Sequence, residues 1–276
     1  MNPRRLVASG ALLALAQLIS ALCGFTRTVF IARELTLVDY GTAAAIATTV
    51  IAVEMSTALA VDKMLLQDAD GGSDEFLKNA HTLMAIRGGF IAILVYFSAG
   101  FFADIYGLEN VKWAFQMIAF SPLIKGFANL DYVAQQKNNE QLAAAATQLV
   151  PELLATLVIL PLLIIFMDMR AMLYALLLLA IFNVLISHFT ARRPFRLGLS
   201  AALLIRMFNF SWPLMFGGFL MFWILQGDKV IVGSFYGMEQ LGLYTIVFTC
   251  LMLPCMIVHR IANALALPIL GASYYA

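Results

Sequence analysis

The chain has 276 residues, of which 62% are hydrophobic and 12% charged, and its mean hydropathy is +0.89. Soluble domains carry about 25% charged residues, so this composition excludes an ordinary soluble domain and predicts an all-α polytopic membrane protein. The net charge of +1 gives no reason to expect a nucleic-acid or acidic partner.

The N-terminus imitates a signal peptide, with Arg4 and Arg5 ahead of an apolar run from Leu6 to Leu22. Ser20-Ala21-Leu22-Cys23 is a poor lipoprotein cleavage site because a bulky leucine precedes the cysteine, so a retained first helix is expected. A bilayer crossing needs roughly 20 apolar residues. Eight spans are predicted on that basis, over residues 6–32, 40–61, 82–103, 113–135, 149–167, 172–190, 211–233 and 241–261. Pro151, Glu152 and Pro161 interrupt the fifth. Cys23, Cys250 and Cys255 fall inside apolar runs, and an odd count argues against a disulfide framework. His81, His188 and His259 are scattered singly near run ends, so neither a metal nor another cofactor is expected.

Basic residues set the expected orientation. With the N-terminus in the cytoplasm, the inner segments hold Arg4, Arg5, Lys63, Lys78, Lys137, Arg192, Arg193, Arg196 and Arg206. The outer loops hold only Arg33, Lys112 and Arg170, an asymmetry that favours this orientation. The two longest connections, 62–81 and 191–210, are then both cytoplasmic. The first is acidic and glycine-rich. The second starts with Arg192-Arg193-Pro194-Phe195-Arg196 and continues as an amphipathic stretch, Leu203 to Phe208, expected to lie on the inner leaflet. It divides the chain into a six-helix lobe (1–190), the linker (191–210) and the first two helices of a second lobe (211–276).

A weak internal repeat has an offset of 201 residues. It lays Arg27 on Asp228 and Gly41 on Gly242, and only Val29/Val230 and Gly41/Gly242 are identical along the aligned stretch. Two related halves with a substrate path between them are a common transporter plan.

An ionised side chain at mid-bilayer costs about 2.5–3.5 kcal/mol on insertion scales, so such residues usually face a bundle interior or a wet cavity. Arg27, Glu54, Arg87, Lys125, Asp131 and Asp228 qualify. Snorkelling to the headgroups is the plain alternative for Arg27, Arg87 and Asp228. On the functional reading Arg27, Arg87 and Lys125 attract a phosphate or pyrophosphate. Glu54, Asp131 and Asp228 serve ion coupling or gating, through carboxylates whose desolvation favours proton uptake. Arg27 and Asp228, matched in the repeat and opposite in charge, are expected to pair across the outer mouth. Gly88-Gly89, Gly217-Gly218, Pro122 and Pro213 mark places where helices approach closely or bend.

The stretches Arg27-Thr-Val-Phe-Ile-Ala-Arg33-Glu-Leu-Thr-Leu-Val-Asp39-Tyr40-Gly41, Ser121-Pro122-Leu123-Ile124-Lys125-Gly126-Phe127, Leu225-Gln-Gly-Asp228-Lys-Val-Ile-Val-Gly233 and Leu241-Gly242-Leu-Tyr244 resemble oligosaccharide and polysaccharide flippases. These belong to the multidrug/oligosaccharidyl-lipid/polysaccharide exporter superfamily. The resemblance implies a bacterial inner-membrane exporter, not an enzyme, that moves undecaprenyl-pyrophosphate-linked sugar repeat units outward by alternating access without ATP. It implies a lipid-linked oligosaccharide and membrane lipids as partners, with a polysaccharide polymerase and glycosyltransferases nearby. Such proteins have 12 to 14 helices in two lobes, so the eight spans predict a truncated or split product, with a second chain supplying the missing helices.

The rival readings are a drug/cation antiporter or lipid II flippase of the same fold, an inactive or scaffolding fragment, and a membrane glycosyltransferase, polymerase or ligase. The last rests on Asp68-Ala-Asp70, a bare D-x-D pattern that no nucleotide-binding domain accompanies. The same loop fails as a calcium-binding EF-hand, because Gly72 replaces an oxygen ligand and Ser73 holds the glycine position.

Overall fold

The computed structural model describes residues 3–255 apart from 139 and 253, and of residues 3–9 the backbone alone. Among the described residues all regular structure is helical. The helices are α1 (Pro3–Glu34), α2 (Leu37–Ser56), α3 (Val61–Gln67), α4 (Asp74–Phe97), α5 (Ala99–Tyr106), α6 (Lys112–Ile118), α7 (Phe120–Lys125), α8 (Asp131–Lys137), α9 (Leu142–Phe166), α10 (Met169–Thr190), α11 (Ala201–Tyr236) and α12 (Met238–Met252). Short 3-10 turns lie at Ala69–Gly72 and Glu109–Val111.

Six of these, α1, α2, α4, α9, α10 and α11, are long and apolar enough to cross a membrane. The chain is a polytopic membrane protein, and its helices satisfy their backbone groups internally, as a bilayer requires. Two of the eight expected spans take another form. The fourth, 113–135, is a broken path of α6, α7 and α8. Pro122 has no N–H to give the carbonyl one turn back, and the helix is interrupted at Ala119. After α7 the amides of Phe127 and Ala128 bond three residues back, to Ile124 and Lys125, and the helix tightens and stops. The eighth span is represented by the shorter apolar α12, and its far end, with His259, lies outside the described residues.

The expected linker 191–210 also divides differently. Residues 191–200 form a non-helical strap, while Ala201 onward is already the start of α11. At 1.5 Å per residue this helix of 36 residues is about 54 Å long, well beyond the roughly 30 Å hydrocarbon core. The surplus at its N-terminal end absorbs the amphipathic stretch.

Helix starts are chemically marked. Thr36 accepts the Asp39 amide at the head of α2 and donates its hydroxyl to the Asp39 carboxylate. Ser73 accepts the Phe76 amide at the head of α4, where Asp74 and Glu75 complement the helix dipole. One core joins α2, α4, α6, α10 and α12 through Ile46, Val50, Ile91, Phe115, Ile118, Leu173 and Leu241. A second, around Val61, Leu65, Phe76, Val133 and Met207, gathers α3, α4, α8 and the start of α11 at the strap end of the bundle. Large apolar side chains such as Phe97, Ile164 and Ile224 face outward, the arrangement a lipid-exposed surface calls for.

Candidate functional site

Three of the six charged residues singled out from sequence meet at the C-terminal end of α2. Glu54 lies in the last turn of α2, Arg87 in the middle of α4, and Lys125 ends α7. Small residues bring these helices together. A Cβ on Gly88 would stand 2.6 Å from the Pro122 carbonyl oxygen and 3.0 Å from the Gly126 Cα. One on Gly126 would stand 3.0 Å from the Met84 carbonyl oxygen, so α4 and α7 touch main chain to main chain.

The Lys125 ammonium lies 3.0 Å and 3.2 Å from the two Glu54 carboxylate oxygens. The lysine side chain is 46% exposed and the glutamate 22%, so the pair is reachable. Arg87 is engaged differently. Its Nε donates to the Thr57 carbonyl and its Nη2 to the Glu54 carbonyl, each at 2.7 Å. The guanidinium thus caps the carbonyl end of α2, where the helix dipole is negative. Asp62, on the first turn of α3, is exposed, yet surrounding protein desolvates its carboxyl and pushes it above the usual carboxylate range, with the charge of Arg87 opposing the shift. The cluster holds two cations and the Glu54 carboxylate, with Asp62 near enough for its charge to act on Arg87. A multiply charged anion can compete with Glu54 for Lys125, while Arg87 adds its field from behind.

The other three residues lie elsewhere. Arg27 does not meet Asp228. Its Nη1 donates to Glu152 at 2.9 Å across the α1–α9 contact, whereas Asp228 accepts the Tyr244 hydroxyl from α12 and the Lys229 amide. The packing of α1 against α9 decides this by presenting a carboxylate at the depth of Arg27. Glu152 was noted in the sequence only as an interruption of the fifth span. The signal that could have found it is that a lone carboxylate in so apolar a helix needs a cation on a neighbour.

Asp131 is 1% exposed at the head of α8 and fastens the strap. It accepts Arg193 Nε at 2.6 Å, the Arg192 amide at 2.8 Å and Gln135 Nε2 at 2.9 Å. Desolvation works to raise its carboxyl, but the Arg192 amide, Arg193 and Gln135 together hold it below the usual range. Arg193 loses to desolvation and gains more from Asp131 and Asp74, and its value is raised. Further along the strap, Arg196 and the Leu130 amide bracket His81. The Leu130 N–H donates to its Nε2 at 3.0 Å, so Nδ1 carries the proton that the Arg196 carbonyl accepts at 3.1 Å. Phe195 stacks on the ring at 4.5 Å. In the acidic loop, the Asp68 carboxylate is taken by Arg206 at 2.6 Å and by the Asp70 amide. This gives the first acid of the D-x-D pattern a place in loop geometry.

A family model described as "Polysaccharide biosynthesis protein" matches residues 30–273. A solved structure designated "protein A" shares the fold, with a TM-score of 0.61 at 16% sequence identity, over 99% of this chain and 66% of that one. The chain thus spans just under two thirds of that protein's length. No curated protein matches the chain.

Proposed function

The chain belongs to the polysaccharide biosynthesis protein family, and from that premise we propose that it moves a lipid-linked oligosaccharide, its sugar carried on a polyprenyl pyrophosphate, across a bacterial inner membrane. The observation that carries this reading is the reachable Lys125–Glu54 pair backed by Arg87, at the end of a membrane-crossing helix. A pyrophosphate brings more negative charge than Glu54 offers, and an ammonium on a flexible stem can turn from one to the other. Cargo exchange at Lys125 is then an exchange of one anionic partner for another.

The strap end, with Arg192, Arg193, Arg196, Arg206 and Lys137, is the basic end of the molecule, and the asymmetry of basic residues supports assigning it to the cytoplasm. The pair then receives cargo from the side where lipid-linked sugars are assembled. A polymerase and glycosyltransferases acting on the same carrier are the expected neighbours.

The test is proteoliposomes carrying the chain and a fluorescent lipid-linked oligosaccharide, with flipping read by quenching from one side. Flipping by the unsubstituted chain and a loss of roughly tenfold or more in Lys125→Ala support the reading. No flipping, or equal flipping by Lys125→Ala, overturns it.

A further inference from the structure

The 201-residue repeat makes a geometric demand: Leu37 corresponds to Met238 and Gly41 to Gly242. In the fold these four residues meet. A Cβ on Gly41 would overlap the Met238 carbonyl oxygen and stand 2.9 Å from the Gly242 amide nitrogen. A Cβ on Gly242 would overlap the Leu37 carbonyl oxygen and stand 3.2 Å from the Gly41 amide nitrogen. Each glycine therefore presses on the residue that starts the other's helix, for α2 begins at Leu37 and α12 at Met238. Reciprocal contact of this kind, i on j′ and i′ on j, is what a twofold relation produces. The repeat is weak in sequence because little is held in common besides the glycines at the crossing, and those are fixed by main-chain approach.

We infer that the Gly41–Gly242 crossing is the seal of the transport route at the end of the bundle away from the strap, and that it parts to release cargo. This rests on the transport reading above. Three features support it. Gly41 and Gly242 are buried with Tyr40 and Leu241 beside them, so water is shut out. Gly41 lies 13 residues before Glu54 on α2, about 20 Å along the helix, so the crossing is remote from the charged pair. The contact itself is main chain against main chain, and among the described residues no ion pair or hydrogen bond crosses it, so it can part without unpairing a buried polar group. A seal on a twofold relation also opens symmetrically, each helix hairpin moving away from the other.

Accessibility tests this without any cargo. In a chain with Cys23, Cys250 and Cys255 replaced by serine, Thr245→Cys, 7% exposed and one turn past Gly242, reports water at the crossing. Gly41→Ala and Gly242→Ala each place a methyl against main-chain atoms that cannot swing aside. Each is expected to raise maleimide labelling of Cys at 245 by about tenfold or more, and to similar extents. Gly24→Ala and Gly217→Ala, where a Cβ would meet nothing within 4 Å, are expected to leave it unchanged. Unchanged labelling in both test variants, or an increase in only one, overturns the seal.

Spin labels at Leu37→Cys and Met238→Cys keep the question answerable if the alanine variants do not fold, because both glycines remain. Short and long distance populations in nanodiscs support a parting seal, and one narrow distance under all conditions overturns it. If the seal parts but no lipid-linked sugar flips, the transport reading falls while the seal stands.

Discussion

Lys125 holds both carboxylate oxygens of Glu54, at 3.0 Å and 3.2 Å, although 71 residues separate them in sequence. The lysine is nearly half exposed, and an ion pair of that exposure contributes about 0.2–1 kcal/mol. The pair is therefore weak enough for an anion to displace. Glu54→Gln removes the competing anion, and the affinity for inorganic pyrophosphate is expected to rise about twofold to fivefold. Lys125→Ala is expected to abolish the measurable binding. Titration of the purified protein by calorimetry checks both, and a Glu54→Gln variant that binds less tightly contradicts the competition.

Arg87 is expected to act through α2 rather than on cargo, since its Nε and Nη2 are committed to the Thr57 and Glu54 carbonyls. Hydrogen bonds from a charged donor contribute about 1.5–3 kcal/mol. Arg87→Lys keeps the charge but not the fork that reaches two carbonyls. A fall in thermal midpoint of several degrees is expected for Arg87→Lys and a larger one for Arg87→Ala, with pyrophosphate affinity in Arg87→Lys changed less than in Lys125→Ala. Thermal melts and titrations on the same preparations separate the two roles.

Which charges lie in apolar runs was readable from the sequence, and neither their place on the helices nor their pairing was: Glu54 falls in the last turn of α2 and Lys125 ends α7. Glu54 and Lys125 stand well inside their apolar runs and Arg87 near the start of its own, and a charge in an apolar run needs a partner or a route to the headgroups. Which faces of α2, α4 and α7 meet depends on the Gly88–Gly126 approach, and that is a tertiary fact. Asp131 falls in an expected span because residues 113–135 are mostly apolar, yet Pro122 and the turn after Lys125 end the helix before it. Asp62 sits in a connection that reads as a solvated acidic loop, and only the fold turns it toward Arg87. The reciprocal glycines were visible as one of two identities at one offset, too few to carry a repeat until the chain brought them into contact.

Gly88 and Gly89 are neighbours in sequence with opposite expected tolerance. A methyl at Gly88 meets the Pro122 carbonyl, so Gly88→Ala forces α4 and α7 apart and carries Lys125 away from Glu54. A methyl at Gly89 meets nothing within 4 Å. Gly88→Ala is expected to lower the thermal midpoint and weaken pyrophosphate binding, and Gly89→Ala to match the parent in both. Equal behaviour of the two variants contradicts the close approach that builds the site.

Asp131 and Asp62 are expected to give opposite pH signatures. The folded protein holds Asp131 below its unfolded value of about 3.9. Its stabilisation is complete above that value and lost as pH falls through the lower, folded one. Asp131→Asn should therefore cost thermal stability at pH 7, with the gap to the parent closing below about pH 4. Asp62 is raised, because desolvation outweighs the attraction of Arg87. The folded state binds that proton more tightly than the unfolded chain, so its contribution is most favourable below the unfolded value and is lost as pH rises through the folded one. Asp62→Asn should then raise the thermal midpoint at pH 7 and lose its advantage in acid. Thermal melts of both variants and the parent between pH 3 and pH 8 in nanodiscs read the two slopes directly. A destabilised Asp62→Asn at pH 7 would mean that the attraction of Arg87 outweighs desolvation at this carboxyl.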